Sequence, residues 1–287
     1  MSIDLHLHST YSDGTLSPAE IVEHGRKRGL RSLSLTDHDT IAGISEGAAA
    51  AARENIEMVS GVELSVEFGE VTFHLLGYFF DHEDTGLKGK IALLQQARDE
   101  RNRKILSRLQ ARGIDISMEE VLKFSPVGQT GRPHIAQVLK EKGVVSSMNQ
   151  AFRRFLGKGA CAYVSRFVYS FDEAAAFLKE SGGITVLAHP AQIDPTLHRL
   201  PGLVAQLAPR GLDGLEVYYP SQSSSIRKKL KAIAKRYSMV ISGGSDYHGL
   251  IRPGTDMAGG AKFWVPGEVL EGMRQKASEN RHIRDDI

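Results

Sequence analysis

Strand-like and helix-like stretches alternate along this chain, and that alternation constrains the fold more than any other feature. "IDLHLH" (residues 3–8) reads as a strand, with Ile3, Leu5 and Leu7 on one face. "SPAEIVEHGRKRG" follows as a helix, with Ser17 as N-cap, Pro18 at the first helical position and a stop at Gly29. "LRSLSLTDHD" is a second strand, "GISEGAAAAARENI" a helix, and "EMVSGVELSVEF" and "VTFHLLGYFF" further strands. Such βαβ order favours a parallel α/β sheet or barrel. It breaks near Asp81, and residues from about 85 to 160 read mostly as helix, the longest being "LKGKIALLQQARDERNRKILSRLQARG". It resumes with "FDEAAAFLKESGG" (helix), "ITVLAHP" and "GLEVYY" (strands), "SSSIRKKLKAIAKRYS" (helix) and "MVISGGSDYH" (strand). The expectation is an α/β barrel built from residues 1–80 and 161–287, interrupted by a helical insert over 81–160 that caps the site. The polar end "SENRHIRDDI" reads as fraying.

Composition narrows the function classes. A chain of 287 residues, 41% hydrophobic, can bury a sizeable core. A formal net charge of +2 provides no strong basic field, so binding to long nucleic acid by charge alone is not suggested. The single cysteine, Cys161, allows no internal disulfide and excludes a Cys-rich zinc module, which fits a reducing cytoplasm. No apolar run reaches membrane length, and the first residues carry no export signal. A cytoplasmic protein with no membrane contact and no obligate protein partner is expected.

Histidines and carboxylates then recur at comparable places. His6 and His8 lie two residues apart on one strand face, with Asp13 on the turn that follows. His38 lies in "TDHD", Glu63 in "GVELS", His74 in "TFHLLG", His189 in "LAHP", and Asp246 and His248 in "GGSDYH". Each histidine alone reads as an ordinary satisfied core residue. Their joint arrival near the C-terminal ends of strands, the face on which α/β barrels build sites, does not. Imidazole mixed with carboxylate, without thiolate, suits zinc, manganese or iron and not calcium. The set is large enough for two or three ions, which suits phosphoester hydrolysis, with metal-assisted amide hydrolysis as the chemical competitor. Asp37 has the opposite parity to His38 and is left out of the ligands, while Asp4 and Glu216 are candidates for orienting imidazoles.

The ordered set "DLHLHSTYSDGTLSP", "LTDHDT", "GVELS", "HLLGY", "LAHP" and "GSDYH" resembles the polymerase-and-histidinol-phosphatase (PHP) family of metal-dependent phosphoesterases. Within the insert, "TGRPHIAQVLKEKG", "SSMNQAFRRFLGKG" and "AYVS" are similar to the branch of nucleoside 3′,5′-bisphosphate phosphatases and the bacterial 5′-to-3′ exoribonuclease that trims short RNAs. The resemblance implies a distorted seven-stranded β/α barrel of PHP type with a trinuclear site. Carried over by position, His6, His8, Glu63 and Asp246 hold one metal; Asp13, His38 and His248 a second; Glu63, His74 and His189 a third, with Glu63 bridging. Manganese is the expected ion, with iron and zinc as alternatives.

The implied function is hydrolysis of a phosphate ester on a small nucleotide or the 5′ end of a short RNA, by a hydroxide bridging the metals. Glu63 and Asp246 are the catalytic ligands in this reading. Arg132 contacts phosphate through its two-pronged guanidinium, and His134 donates a hydrogen bond or a proton. Tyr163 faces a sugar or base. Relatives commonly carry a lysine where this chain has Ala160, and Lys158 stands in as the loop's phosphate contact. The rival readings are a phosphatase of a non-nucleotide phosphomonoester such as histidinol phosphate, and a non-catalytic PHP scaffold. The basic run in "KGKIALLQQARDERNRK" reads as a solvated helix face.

Overall fold

The computed structural model describes residues 2–125, 127–260 and 263–285, with side chains through 281. The strands are β1 (Ser2–Leu7), β2 (Leu30–Leu35), β3 (Glu57–Phe68), β4 (Val71–Tyr78), β5 (Tyr169–Ser170), β6 (Ile184–Leu187), β7 (Gly214–Tyr218) and β8 (Val240–Gly243). The helices beside them are α1 (Pro18–Lys27), α2 (Ile44–Glu54), α3 (Thr85–Gln110), α4 (Met118–Leu122), α5 (Arg132–Glu141), α6 (Met148–Ala151), α7 (Phe171–Glu180), α8 (Pro190–Ile193), α9 (Leu200–Leu207), α10 (Ser224–Arg236) and α11 (Glu268–Asp285). The polar C-terminal stretch read as fraying is therefore helical through Asp285.

Local chemistry explains the first helix. Ser17 Oγ accepts from the Glu20 N–H at 3.2 Å, and the Glu20 carboxylate accepts from the Ser17 N–H at 2.8 Å. This capping box satisfies two N-terminal donors that the helix itself cannot pair. Pro18 needs no donor there, and Ile21, Val22 and Gly25 form the buried face.

The sheet order is β1-β2-β3-β4-β6-β7-β8, with the short β5 added beside β3. It is mixed, not wholly parallel as expected. β3 turns back through Gly69 (φ +59°) into β4, with Phe68 opposite Val71. A two-residue turn of this kind joins only antiparallel strands. β4 then runs antiparallel to β6 as well. The ends of the strand order approach each other. His8 N–H donates to the Tyr247 carbonyl at 3.0 Å, and Asp246 N–H donates to the His6 carbonyl at 2.8 Å. Only glycine fits at 244, because a Cβ there would lie 2.2 Å from the His6 Cβ.

Both faces of β1 are buried, so Ile3, Leu5 and Leu7 pack into apolar cores while His6 and Asp4 are enclosed on the other side. Burying one such aliphatic side chain contributes roughly 1.5–3 kcal/mol. α3 joins two cores. Leu87, Ile91 and Leu94 pack into the main core, whereas Ile105, Leu106 and Leu109 pack with Ile116, Ile135, Leu139, Leu156 and Ala162. This second cluster packs α5 and the segment Phe152–Leu156 against the C-terminal half of α3.

Candidate metal centre

The side chains predicted as ligands converge on Glu63. Its Oε2 lies 3.3 Å from His6 Nε2, 3.2 Å from His8 Nε2 and 3.0 Å from His38 Nδ1. Its Oε1 lies 2.8 Å from His74 Nδ1 and 3.0 Å from His189 Nε2. Asp246 Oδ1 lies 3.2 Å from His8 Nε2 and 3.5 Å from His6 Nε2. Asp13 Oδ1 lies 3.3 Å from His248 Nε2.

Strand direction explains how distant residues meet. His8, His38, His189, Asp246 and His248 lie just beyond the C-terminal ends of parallel strands, as expected. Glu63 does not: it is mid-strand, because β3 continues past the site into its hairpin. His74 sits near the beginning of β4, and the antiparallel direction brings that beginning to the same end of the sheet. Ser65 pairs with His74 and Glu63 with Leu76, so Glu63 and His74 are diagonal neighbours on one face. His189 and Asp246 have positive φ (29° and 53°), a backbone region that side chains rarely adopt and that often marks functional sites.

The donor atoms form overlapping groups. His6, His8, Glu63 and Asp246 make one, His8, Asp13, His38 and His248 a second, and His38, Glu63 and His74 a third, each with its atoms within 4.8 Å of one another. The first matches the set expected from the sequence. His8 also reaches the second group, and His38 the third, while His189 touches Glu63 and His74. His6 Nε2, His8 Nε2, Asp13 Oδ1, His38 Nδ1, Glu63 Oε2 and His248 Nε2 are buried without a hydrogen-bond partner. Buried polar atoms normally have partners. Divalent cations fit such atoms, and nitrogen and oxygen donors without sulfur suit zinc, manganese or iron.

The electrostatics agree with a site built for cations. Burial pushes the Glu63 carboxyl up, but the surrounding His74, His38 and His6 outweigh it and hold the group well below the usual carboxylate range. Asp246 and Asp13 are held down in the same way, by His6 with His8 and by His248 with His38. Burial drives the His38 imidazole well below its ordinary value despite Glu63 and Asp13.

Supporting groups fix the imidazoles. Glu216 Oε1 lies 2.8 Å from His6 Nδ1, and Glu216 Oε2 accepts from the His189 N–H at 2.7 Å. Asp4 touches no imidazole ring, but it holds the backbone of one candidate ligand by accepting from the His6 N–H at 3.4 Å. It accepts from the backbone N–H groups of Ser245 at 2.8 Å and Ala258 at 2.9 Å. Asp37 accepts from Ser9 N–H, Ser9 Oγ and Ser12 Oγ, so it ties down the turn before Asp13, in line with its exclusion from the ligands. Tyr219 donates to Asp246 Oδ2 at 2.8 Å, and Arg252 pairs with the same oxygen.

The insert brings other groups to the rim. His134 is 1% exposed, and its Nδ1 accepts from the Gly131 N–H at 2.9 Å while Nε2 has no partner. Arg132 donates to the Leu156 carbonyl at 3.3 Å and lies 5.9 Å over the rings of both Phe152 and Tyr163. Tyr163 is half-buried, whereas Lys158 is exposed. The sequence reading missed Arg98, Arg101 and Arg166. Arg98 donates to Asp39 Oδ2 at 2.7 Å and Arg166 to the same oxygen at 2.5 Å, and Arg101 is buried. A signal was present: Leu94, Arg98, Arg101 and Ile105 follow helical spacing, so the two arginines lie on the apolar stripe of α3 and not on its solvated face.

A family model described as PHP domain matches residues 4–160. A 3′,5′-nucleoside bisphosphate phosphatase of Chromobacterium violaceum is 34% identical over 257 residues, covering 89% of this chain and 90% of that protein. The 5′-3′ exoribonuclease Rnm of Escherichia coli is 32% identical over 274 residues, covering 95% of this chain and 92% of that protein. A solved structure described as an amidohydrolase from Chromobacterium violaceum, with bound sulfate and no metal, has a TM-score of 0.85 at 32% identity, covering 98% of this chain and 97% of that one. With matches of this length lying over the strands that gather the histidines around Glu63, the chain belongs to the PHP-domain family of metal-dependent phosphoesterases.

Proposed function

We propose that the protein hydrolyses phosphate esters of small nucleotides, either nucleoside 3′,5′-bisphosphates or the 5′ ends of short RNAs, with two to three divalent ions at the Glu63 cluster. The observation that carries the proposal is the set of buried, unpartnered donor atoms around Glu63; the insert adds Arg132 and His134, whose imidazole is close enough to Asp13 to feel its charge. The named relatives act on such substrates and align along nearly the whole chain.

In this reading His6, His8, Glu63 and Asp246 hold one ion, and Asp13, His38 and His248 hold another with His8 at their border. Glu63, His74 and His189 hold the third. Bound ions at such a site supply Lewis acidity and lower the pKa of water. Manganese is the proposed ion. The residues around them do the rest. Glu63 offsets repulsion between neighbouring cations. Arg132 binds a substrate phosphate through paired N–H donors. With its Nδ1 occupied by the Gly131 N–H, neutral His134 carries its proton on Nε2, a buried donor with no partner in the protein. Burial lowers its pKa, so it acts at neutral pH as a hydrogen-bond donor to the phosphoryl or leaving oxygen. Tyr163 faces the sugar or base beside Arg132, and Lys158 supplies a loop contact in place of the lysine that Ala160 replaces. The segment 81–160 caps the site. No helix among the described residues is long and apolar enough to cross a membrane.

The test is a substrate panel with metal analysis. The manganese-loaded protein is assayed on adenosine 3′,5′-bisphosphate, a 5′-phosphorylated short RNA and histidinol phosphate, and its metal content is measured. Hydrolysis of the nucleotide substrates with at least two ions bound is expected. Turnover of histidinol phosphate alone, or a protein that after manganese loading neither retains metal nor hydrolyses a nucleotide, would refute the reading.

A further inference from the structure

The positive charge of this chain is concentrated on one helix. α10 carries Arg227, Lys228, Lys229, Lys231, Lys235 and Arg236 and no acidic residue, whereas every other helix of ten or more residues carries both signs. Six of the 36 Lys and Arg residues lie here, and the remaining thirty are outnumbered by 34 Asp and Glu. Elsewhere helices pair their own charges: Lys27 lies 2.6 Å from Glu23 on α1, and Lys104 lies 4.0 Å from Glu100 on α3. Among the described residues no carboxylate pairs with a cation of α10. Arg227 and Lys231 instead lie over the Tyr218 ring, and Arg236 over that of Tyr237. Lys228, Lys229 and Lys235 are exposed, with no partner among the described residues.

Such a face works against the helix that carries it. Arg227, Lys231 and Lys235 follow one another at four-residue spacing, where like charges repel. The other side of α10 holds it on the barrel: Leu230 and Ala234 are buried, and Ile226 and Ile233 pack against the main core. A helix lying in a membrane surface needs that apolar side free, so an aqueous polyanion fits the outward face better than lipid does. α10 also begins at the metal end of the barrel. β7 leads through Tyr219, whose hydroxyl donates to Asp246 at 2.8 Å, to the N-cap Ser223, which accepts from the Ile226 N–H at 3.3 Å. From His189 the chain runs through α8 into residues 194–199, which form the other wall of a cleft beside α10. This cleft measures about 920 Å³ and is lined by Leu197, His198, Arg199, Lys229 and Ile233 among others. Its loop wall is fixed: Asp194 accepts from the N–H groups of Arg199 at 2.6 Å and Leu200 at 3.0 Å, and Leu197 is held buried at φ +57°.

Single-stranded nucleic acid is bound by cations that track its backbone and by apolar or ring surfaces against its bases. α10 supplies the first, and Leu197, His198 and Ile233 of the cleft supply the second. We infer that the outward face of α10 and this cleft anchor the body of a single-stranded RNA whose 5′ end reaches the metal centre. The inference rests on the phosphoesterase reading above and deepens it: of the two substrate kinds, the short RNA is the one with contacts beyond the insert and the metal-binding residues.

The experiment compares kcat/KM of the manganese-loaded full chain on adenosine 3′,5′-bisphosphate, the 5′-phosphorylated dinucleotide pApA and a 5′-phosphorylated decanucleotide RNA. In the wild type the decanucleotide is preferred over the dinucleotide at low salt, and the preference shrinks as salt rises. Lys228→Gln, Lys229→Gln and Lys235→Gln are combined in one variant, since glutamine keeps the helix propensity of lysine. This variant should lose roughly tenfold of the decanucleotide preference, and the slope of log rate against log salt should fall by about 0.7 for each phosphate contact removed. Its rates on the bisphosphate and the dinucleotide should match the wild type. Lys→Arg at the same three positions should retain the preference. A wild type without length preference, or an unchanged ratio in the glutamine variant, overturns the surface. An equal fall on all three substrates also overturns it. Binding to phosphatidylserine vesicles that the variant loses, with its RNA ratio unchanged, would assign the face to a membrane and overturn the RNA reading. If the wild type hydrolyses no nucleotide, the phosphoesterase reading fails by itself. The surface is then judged by fluorescence anisotropy of the intact decanucleotide: weaker binding by the glutamine variant supports it, and equal binding overturns it.

Discussion

The Glu216 carboxylate lies 2.8 Å from His6 Nδ1, which leaves His6 Nε2 facing Glu63 and Asp246. A carboxylate accepts and does not donate, so Nδ1 carries the proton and Nε2 keeps its lone pair for a metal. The same carboxylate holds the backbone of His189. One buried group on β7 thus orients two candidate ligands from different strands. Glu216→Gln keeps the shape of the side chain but weakens its pull on the His6 proton. Loss of such a supporting partner typically lowers metal affinity or activity by about 10- to 100-fold. Calorimetric titration of the metal-free protein with manganese measures this, and unchanged affinity in Glu216→Gln would sink the assignment.

Glu63 touches His6, His8, His38, His74 and His189, whereas His74 belongs to one donor group of the cluster. Glu63→Gln is expected to reduce turnover and metal stoichiometry more than His74→Ala does. Elemental analysis beside initial rates for the two variants provides the comparison. Full metal content and a near-normal rate in Glu63→Gln would remove the bridging role.

Arg132→Ala is expected to lose about 10- to 150-fold in kcat/KM on a nucleotide, the equivalent of roughly 1.5–3 kcal/mol for a charge-assisted contact. Its metal content should match the wild type. Its melting temperature should fall slightly, because Arg132 also packs over Phe152 and Tyr163 and bonds the Leu156 carbonyl. Arg132→Lys should regain only part of the rate, since an ammonium lacks the fork. Undiminished activity in Arg132→Ala would shift attention to Lys158 or to Arg153 and Arg154.

His134 provides a pH prediction. Burial lowers its folded pKa below the ordinary imidazole value of 6.5. As pH falls through about 6.5, the unfolded chain takes up the proton before the folded one. The stability conferred by neutral, buried His134 is therefore complete above about pH 6.5 and is lost as pH falls below it. The drop in melting temperature between pH 7.5 and pH 5 should be smaller in His134→Gln than in the wild type. Equal drops would mean that His134 is not held neutral.

Much of this site was legible in the sequence because its signals are local. Two-residue spacing places His6 and His8 on one strand face, and Ser17 with Glu20 marks a helix start whatever lies around it. The ligand candidates were visible as imidazoles and carboxylates at strand ends. The mixed sheet was not, because an alternating apolar pattern carries no sign of strand direction. That direction decides how His74, at the start of β4, comes to lie 2.8 Å from Glu63 in the middle of β3.

Arg101 shows the division most sharply. The sequence determined that a guanidinium stands on the apolar stripe of α3, between Leu94 and Ile105. It also determined that the donors recurring near strand ends are imidazoles and carboxylates, and hence that an ion held by them is held by nitrogen and oxygen. Tertiary structure alone decided that Arg98, Arg132 and Arg166 converge beside Arg101 and that Asp39 is the carboxylate among them. The physical reason is range. Periodicity and capping act within a few residues, whereas charge compensation depends on distances through space between residues far apart in the chain. Whether a buried charge is paired or waiting for a ligand is therefore settled only when the chain has folded.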